Sequence, residues 1–301
     1  MRITALSGGV GGARMLRGLA GMGEIDLTAV VNVGDDDFIY GLALSPDLDT
    51  VTYTLADLHS ETRGWGRDDE TWNVMDELDR FSIDSSFRIG DRDLALNLYR
   101  TTRMAEGASL SEVTAEITRA FELGTTLLPA SNDRIATQVE SAGSWLDFQD
   151  YFVRRRHAVA VSGVRFVGIE DARPAPGVLE ALDGADAIVI GPSNPILSIW
   201  PILDVPGVRD AIAGHTVMVV SPLIGGRAVK GPLADVMPAF GLSPDTSGVI
   251  DSYGGLATDL VVHHGDEPHH EVAARIHVSD TRIADPASAT RLAKEMLAWL
   301  A

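Results

Sequence analysis

Residues 1–20 read MRITALSGGVGGARMLRGLA: a short apolar run, four glycines between residues 8 and 12, then a helical pattern. "RITALSG" has the character of a buried strand, and "ARMLRGLAGMG" has the spacing of an amphipathic helix. A strand, a glycine-rich turn and a helix start make an anion site, because free N–H groups and the positive end of the helix dipole face the turn. Gly8, Gly9, Gly11 and Gly12 are therefore candidate phosphate contacts. The dinucleotide fingerprint G-x-G-x-x-G fits poorly. Counted from Gly9, Arg14 stands in the third glycine position; counted from Gly8, Val10 stands in the second. The other phosphate-loop form, G-x-x-x-x-G-K-[ST], lacks its lysine. Three readings stay open here: a phosphate cradle, an NAD site, and a structural turn.

Downstream, "DLTAVVNVG", "ADAIVIGP", "HTVMVVSP" and "TDLVVHH" are further near-continuous apolar runs ending in Gly, Pro, Ser or His. Helical patterns cover about 175–183, 206–213, 232–240 and 286–300. This alternation predicts an α/β protein with a Rossmann-like, doubly wound and mostly parallel sheet. Residues of about 68–125 look helical, with Ser109 or Ser111 as a cap, and about 135–170 alternate like antiparallel strands. The expectation is a single α/β unit over 1–301, in which about 68–170 is an insertion that shapes a substrate pocket.

The chain of 301 residues carries 24 Lys+Arg against 43 Asp+Glu, a net charge of −19. Such a surface repels nucleic acid and anionic membranes. There is no cysteine, which excludes disulfides, thiolate catalysis and cysteine-held zinc. With no signal-peptide pattern and no run of about 20 apolar residues, a cytoplasmic protein is expected.

Three aspartates in "NVGDDD" (residues 32–37) follow a strand, where open α/β sheets place their ligands. "SPDLDT" (45–50) starts a helix with Ser45 as cap and Asp47 and Asp49 in its first turn. Hard oxygen donors beside a phosphate loop suit Mg²⁺, which takes one or two carboxylates plus phosphate and water. "FRIGDRDL" offers Arg88 as a fork for a phosphate or carbonyl group. "GPSNP" (191–195) offers Gly191, Ser193 and Asn194 at a strand's end, and "SPLIGGRAVKGP" adds Arg227 and Lys230 as cations for a diphosphate. "HHGDEPHH" (263–270) and "RRRH" (154–157) read as an exposed loop and a solvated strand face.

In order along the chain, "GGVGGA", "NVGDDD", "PDLDTVTYTLADL", "FRIGDRDL", "YFVRRR", "GPSNPILSIWPIL" and "SPLIGGRAVKGP" resemble the CofD/FbiA family, from residue 1 to about 240. The resemblance implies a transferase of coenzyme F420 biosynthesis. Such enzymes pass a phospholactyl or phosphoenolpyruvyl group from a guanosine-diphosphate-activated donor to the ribityl hydroxyl of the deazaflavin Fo, releasing GMP with Mg²⁺. It implies Fo contacts at Asp49 and Arg88, a guanosine diphosphate held by the glycine turn and "GPSNP", and a homodimer. Asp36 and Asp49 become the candidate catalytic residues and metal ligands. The segment "PASNDRIAT" departs from the family's "SD" pair at Asn132. The alternatives are a nucleotide-sugar-binding regulator of the same superfamily and an NAD-dependent oxidoreductase.

Overall fold

The computed structural model describes residues 1–229, 231–268 and 271–301. Among these, seven strands, numbered along the chain, form one parallel sheet. They are β1 (Arg2–Ser7), β2 (Asp26–Val31), β5 (Thr126–Pro129), β9 (Ala187–Ile190), β10 (Val217–Val220), β13 (Asp259–His263) and β14 (Arg275–Ser279). Their order is β14-β13-β10-β9-β1-β2-β5. β9 and β10 bury all four of their residues, as a parallel sheet covered on both faces demands.

From β1 the chain builds outward to β2 and β5, then returns to lay β9 against the other side of β1. That reversal opens a crevice at the C-terminal ends of β1 and β9, the place where such sheets take ligands. Helix α1 (Gly9–Ala20) leaves β1 directly and buries Ala13, Met15, Leu16 and Leu19. It begins at Gly9, four residues before the expected start, so Gly9, Gly11 and Gly12 form its first turn. The helix Pro286–Leu300, capped by Asp285 with Pro286 in its first turn, lies across α1. At their crossing a side chain on Gly18 would collide with the Ala289 backbone.

Residues 37–125 leave the sheet as a hairpin, β3 (Asp37–Ile39) and β4 (Leu42–Leu44), then α2 (Pro46–Leu55), α3 (Asn73–Arg80), α4 (Asp91–Ala105) and α5 (Leu110–Ala120). Ser109 caps α5 in a reciprocal box with Glu112. The chain then rejoins the sheet as β5 and departs again as the antiparallel β6 (Ala136–Ser141), β7 (Ser144–Asp147) and β8 (Gly163–Val167). The stretch 68–170 is thus two excursions separated by a strand of the main sheet. Between β7 and β8, Asp150–Arg154 is a π-helical turn, and Arg156 and His157 take left-handed backbone, so "RRRH" is not a strand face. A short hairpin, β11 (Leu223–Ile224) and β12 (Arg227–Ala228), follows β10. No helix among the described residues is long and apolar enough to cross a membrane.

Candidate active site

The crevice joins two glycine-bearing loops that lie 185 residues apart in sequence. Ser193 Oγ donates to the Gly8 carbonyl at 2.7 Å and accepts from the Gly8 N–H at 3.4 Å. The approach leaves no room for side chains. A Cβ on Gly12 would stand 2.6 Å from Ser193 Oγ, one on Gly191 2.9 Å from Gly12 Cα, and one on Gly11 would meet the Pro192 carbonyl oxygen. Of the four N–H groups a helix N-terminus leaves without intrahelical partners, Gly9's donates to Asp47 Oδ1 at 2.6 Å. Gly8's goes to Ser193 Oγ, and those of Val10 and Gly11 are left for a ligand, in the arrangement that receives a phosphate. Ser7 Oγ, buried at the end of β1, points at Gly12 and has no protein partner.

Four aspartates, Asp35, Asp36, Asp47 and Asp49, stand beside this cradle. Asp47, 6% exposed, is held by Gly9 and by Asn32 Nδ2 at 2.9 Å. Asn32 in turn fixes the acidic turn by accepting from Gly34 N at 2.8 Å. Asp36 Oδ2 accepts from Ser45 Oγ at 2.8 Å, while its Oδ1 is buried without a partner. Asp49, 7% exposed, forks with Arg100, which is itself 2% exposed. The guanidinium also donates to Asn97 Oδ1 at 2.6 Å and to the Ala43 carbonyl at 3.2 Å.

Burial raises the pKa of every member of the group. Asp35 is held well above the carboxylate range by burial, then by the charges of Asp47 and Asp36. Asp36 is raised likewise by burial, against its Ser45 hydrogen bond and the Arg100 charge. Burial lifts Asp47 to about 6 against its bonds to Asn32 and Gly9. Asp93, on the inner face of α4, is lifted to about 7 by burial and by the charge of Asp49. Each carboxyl keeps its proton to higher pH folded than unfolded, so the folded state binds more protons between about pH 4 and 7. The contribution of the cluster to stability therefore falls as the pH rises through that window. The metal-free protein should show a falling thermal midpoint from pH 5 to 7.5, a slope that Asp47→Asn and Asp93→Asn flatten. A midpoint that rises across this range in the unsubstituted protein would contradict the assignment.

This surplus of buried carboxylates, with Arg100 their paired cation and Asp36 Oδ1 unfilled, fits a divalent ion. Among the described residues no three acidic or imidazole side chains gather into a group that could hold a metal ion by themselves. The fit is to a cation that draws further ligands from phosphate and water, as Mg²⁺ does.

The structure therefore gathers Gly8, Gly9, Gly11, Gly12, Gly191, Ser193, Asp36 and Asp49 around one crevice. Asn194 is there too, but its side chain accepts from Ile196 and Leu197 N–H at 3.0 Å each and so caps the next turn. Arg88 lies before α4, paired with Asp76 at 3.2 Å and stacked on Trp72. Arg227 is exposed on β12, and Lys230 lies outside the described residues. In "HHGDEPHH", Asp266 is buried and accepts from Gly225 and Gly226 N–H at 2.7 Å each, anchoring the β11–β12 turn; His269 and His270 lie outside the described residues. Asn132 clamps Ser111 at the start of α5, accepting from its N–H at 2.8 Å. Sequence reasoning missed Asn32 and Arg100. For Arg100 the signal was there: Asp93, Asn97 and Arg100 recur at helical spacing on one face.

The family model described as 2-phospho-L-lactate transferase CofD matches residues 3–296. The chain is 45% identical over 284 residues to a phosphoenolpyruvate transferase of Kitasatospora aureofaciens, covering 91% of this chain and 88% of that one. It is 38% identical over 301 residues to a 2-phospho-L-lactate transferase of Methanopyrus kandleri, covering 99% and 97%. Its fold is shared with a crystal structure of a UPF0052-family protein from Bacillus halodurans, at a TM-score of 0.65, 19% identity and 98% coverage of both chains. A family match across nearly the whole chain and relatives at this identity carry one conclusion: the protein belongs to the CofD family and is a transferase.

Proposed function

We propose that the protein acts in coenzyme F420 biosynthesis. It transfers a phospholactyl or phosphoenolpyruvyl group from a guanosine-diphosphate-activated donor to the ribityl hydroxyl of the deazaflavin Fo. The observation that carries this reading is the meeting, at one crevice, of a helix N-terminus built for phosphate with a cluster of under-neutralised aspartates. The relatives' names supply the class of group moved.

The acceptor's hydroxyl oxygen forms a bond to the phosphorus bearing the three-carbon acid, the P–O bond to the guanosine monophosphate breaks, and GMP leaves. Backbone N–H groups at the start of α1 offset charge on the phosphoryl oxygens. Ser193 and the glycines hold the two loops close enough for those groups to reach one anion. A carboxylate of the cluster takes the hydroxyl proton. Asp49, already bound by Arg100, fixes the floor of the acceptor site. Asp36, with Asp35 or Asp47 beside it, would hold Mg²⁺, which when bound supplies charge neutralisation at the diphosphate.

The test is a titration with Fo, following deazaflavin fluorescence with and without Mg²⁺ and GDP, then turnover with each donor. Saturable Fo binding and Mg²⁺-dependent GMP release are expected. Nucleotide-sugar binding without Fo binding would replace this reading with the regulatory one. A nicotinamide absorbance change would replace it with an oxidoreductase.

A further inference from the structure

The segment between α2 and α4 carries a stack of aromatic rings and guanidinium groups that the acidic cluster does not use. Trp65 and Trp72 meet edge to face, their centroids 6.0 Å apart at 65°. The Arg63 guanidinium lies 5.8 Å from the Trp65 ring and 5.6 Å from the Trp72 ring, and that of Arg88 lies 5.2 Å from Trp72. Asp76 of α3 accepts from the edge of Arg88 at 3.2 Å. Trp65 remains 45% exposed and the Arg88 side chain 38% exposed.

This stack is bolted to the acidic site. Glu70 accepts from the N–H groups of Arg92 and Asp93 at 2.8 and 2.9 Å, and Asp91 accepts from those of Asn73 and Val74 at 3.1 Å each. Residues 70–76 are therefore pinned to the first turn of α4. Further along the same helix, Arg100, itself held by Asn97, pairs with Asp49. A group lying on Arg88 is thus set in register with the carboxylates through one rigid helix.

A planar guanidinium backed by an indole and held at its edge by a carboxylate offers a flat cationic face with donors around its rim. Such a face recognises a planar, conjugated heterocycle with carbonyl or ionised oxygen at its edge. We infer that Trp72 and Asp76 are positioning residues that fix the plane of Arg88 against the tricyclic ring of the acceptor, with Trp65 flanking that ring. This rests on the proposed function and on the Fo contact at Arg88 that the family resemblance implies.

Steady-state kinetics with Fo and the activated donor, at saturating Mg²⁺, test it. Trp72→Leu should raise KM for Fo about 5- to 30-fold, the range a desolvated cation–aromatic contact confers. KM for the donor and kcat at saturating Fo should stay unchanged. Trp72→Phe, which keeps an aromatic face, should recover most of the loss. Asp76→Ala, at an exposed position, should raise KM for Fo a few-fold, about what one surface ion pair is worth. Trp145→Leu is the control: it removes an exposed indole stacked with Arg165 at 4.2 Å on the β6–β8 sheet, and it should change neither KM. Fo should also quench tryptophan fluorescence less in Trp65→Phe than in the unsubstituted protein. An unchanged KM for Fo in Trp72→Leu and Asp76→Ala, in an enzyme that still turns Fo over, would overturn the inference and leave the proposed function standing. So would a fall in kcat with both KM values constant. Absence of Fo binding to the unsubstituted protein would remove both. Should Trp72→Leu fail to fold, Asp76→Ala and Trp65→Phe decide it.

Discussion

Arg100→Met should destabilise the protein by about 3–5 kcal/mol, enough to leave much of it unfolded at physiological temperature. The guanidinium is 2% exposed and is bound to both oxygens of Asp49, to Asn97 and to the Ala43 carbonyl. Removing it strands a buried carboxylate among other carboxylates. Asp49→Asn should be harmful for the mirror reason, since it leaves the buried cation short of a partner. A loss of activity in Asp49→Asn therefore reads on stability as well as on chemistry, and the two must be separated. Asp49→Leu combined with Arg100→Met separates them: it should recover much of the stability, because an apolar pair replaces a buried ion pair at little loss, while turnover stays absent. Urea unfolding of the two single variants and the double variant measures the coupling. Additive losses would show that the pair is not the linchpin described here.

The second large effect has opposite signs for stability and activity. Asp36→Asn should lower turnover about 10³-fold, equivalent to roughly 4 kcal/mol of transition-state stabilisation. The same change should raise the thermal midpoint of the metal-free protein at pH 8 by about 2–4 °C. Asparagine keeps an oxygen for Ser45 Oγ and removes a charge that burial and neighbouring aspartates disfavour. Any rise in midpoint that Mg²⁺ with GDP gives the unsubstituted protein should shrink in the variant. Calorimetry and GMP release on the same samples check both halves, and a less stable metal-free variant would contradict the account.

The central strands were legible because β9 and β10 are apolar without interruption and β13 has an apolar centre, Leu260–Val262, the mark of burial on both faces. β5 and β14 were not. β5 has four residues ending in Pro129, and β14 is an edge strand whose exposed and covered residues alternate weakly. The early start of α1 was hidden because glycine is a poor helix former, and only tertiary contacts explain the run: Ser198 and Asp47 crowd Gly8, Gly9 takes a left-handed φ, and the loop 191–193 passes against Gly11 and Gly12. In the site, the glycine turn, the aspartates and Ser193 could be named from their places at strand ends. Arg100 was legible only as a place on one helical face with Asp93 and Asn97; its partner Asp49 lies 51 residues away, and nothing local announces that pairing. Asn194 shows the reverse case, a side chain with the look of a ligand contact whose bonds close its own turn.

The bond from Ser193 Oγ to the Gly8 carbonyl spans 185 residues. One wall of the cradle is thus written at the start of the message and the other nearly two-thirds of the way through it. While the chain is being synthesised, the glycine motif is complete within the first few seconds, yet it has nothing to close against until β9 has emerged and docked beside β1. A nascent or truncated chain that stops before residue 187 carries all four glycines of the N-terminal turn and no closed cradle. Binding of any ligand to the closed cradle is accordingly a readout of β9 docking, and a ligand present during refolding can reward that late step without guiding the first.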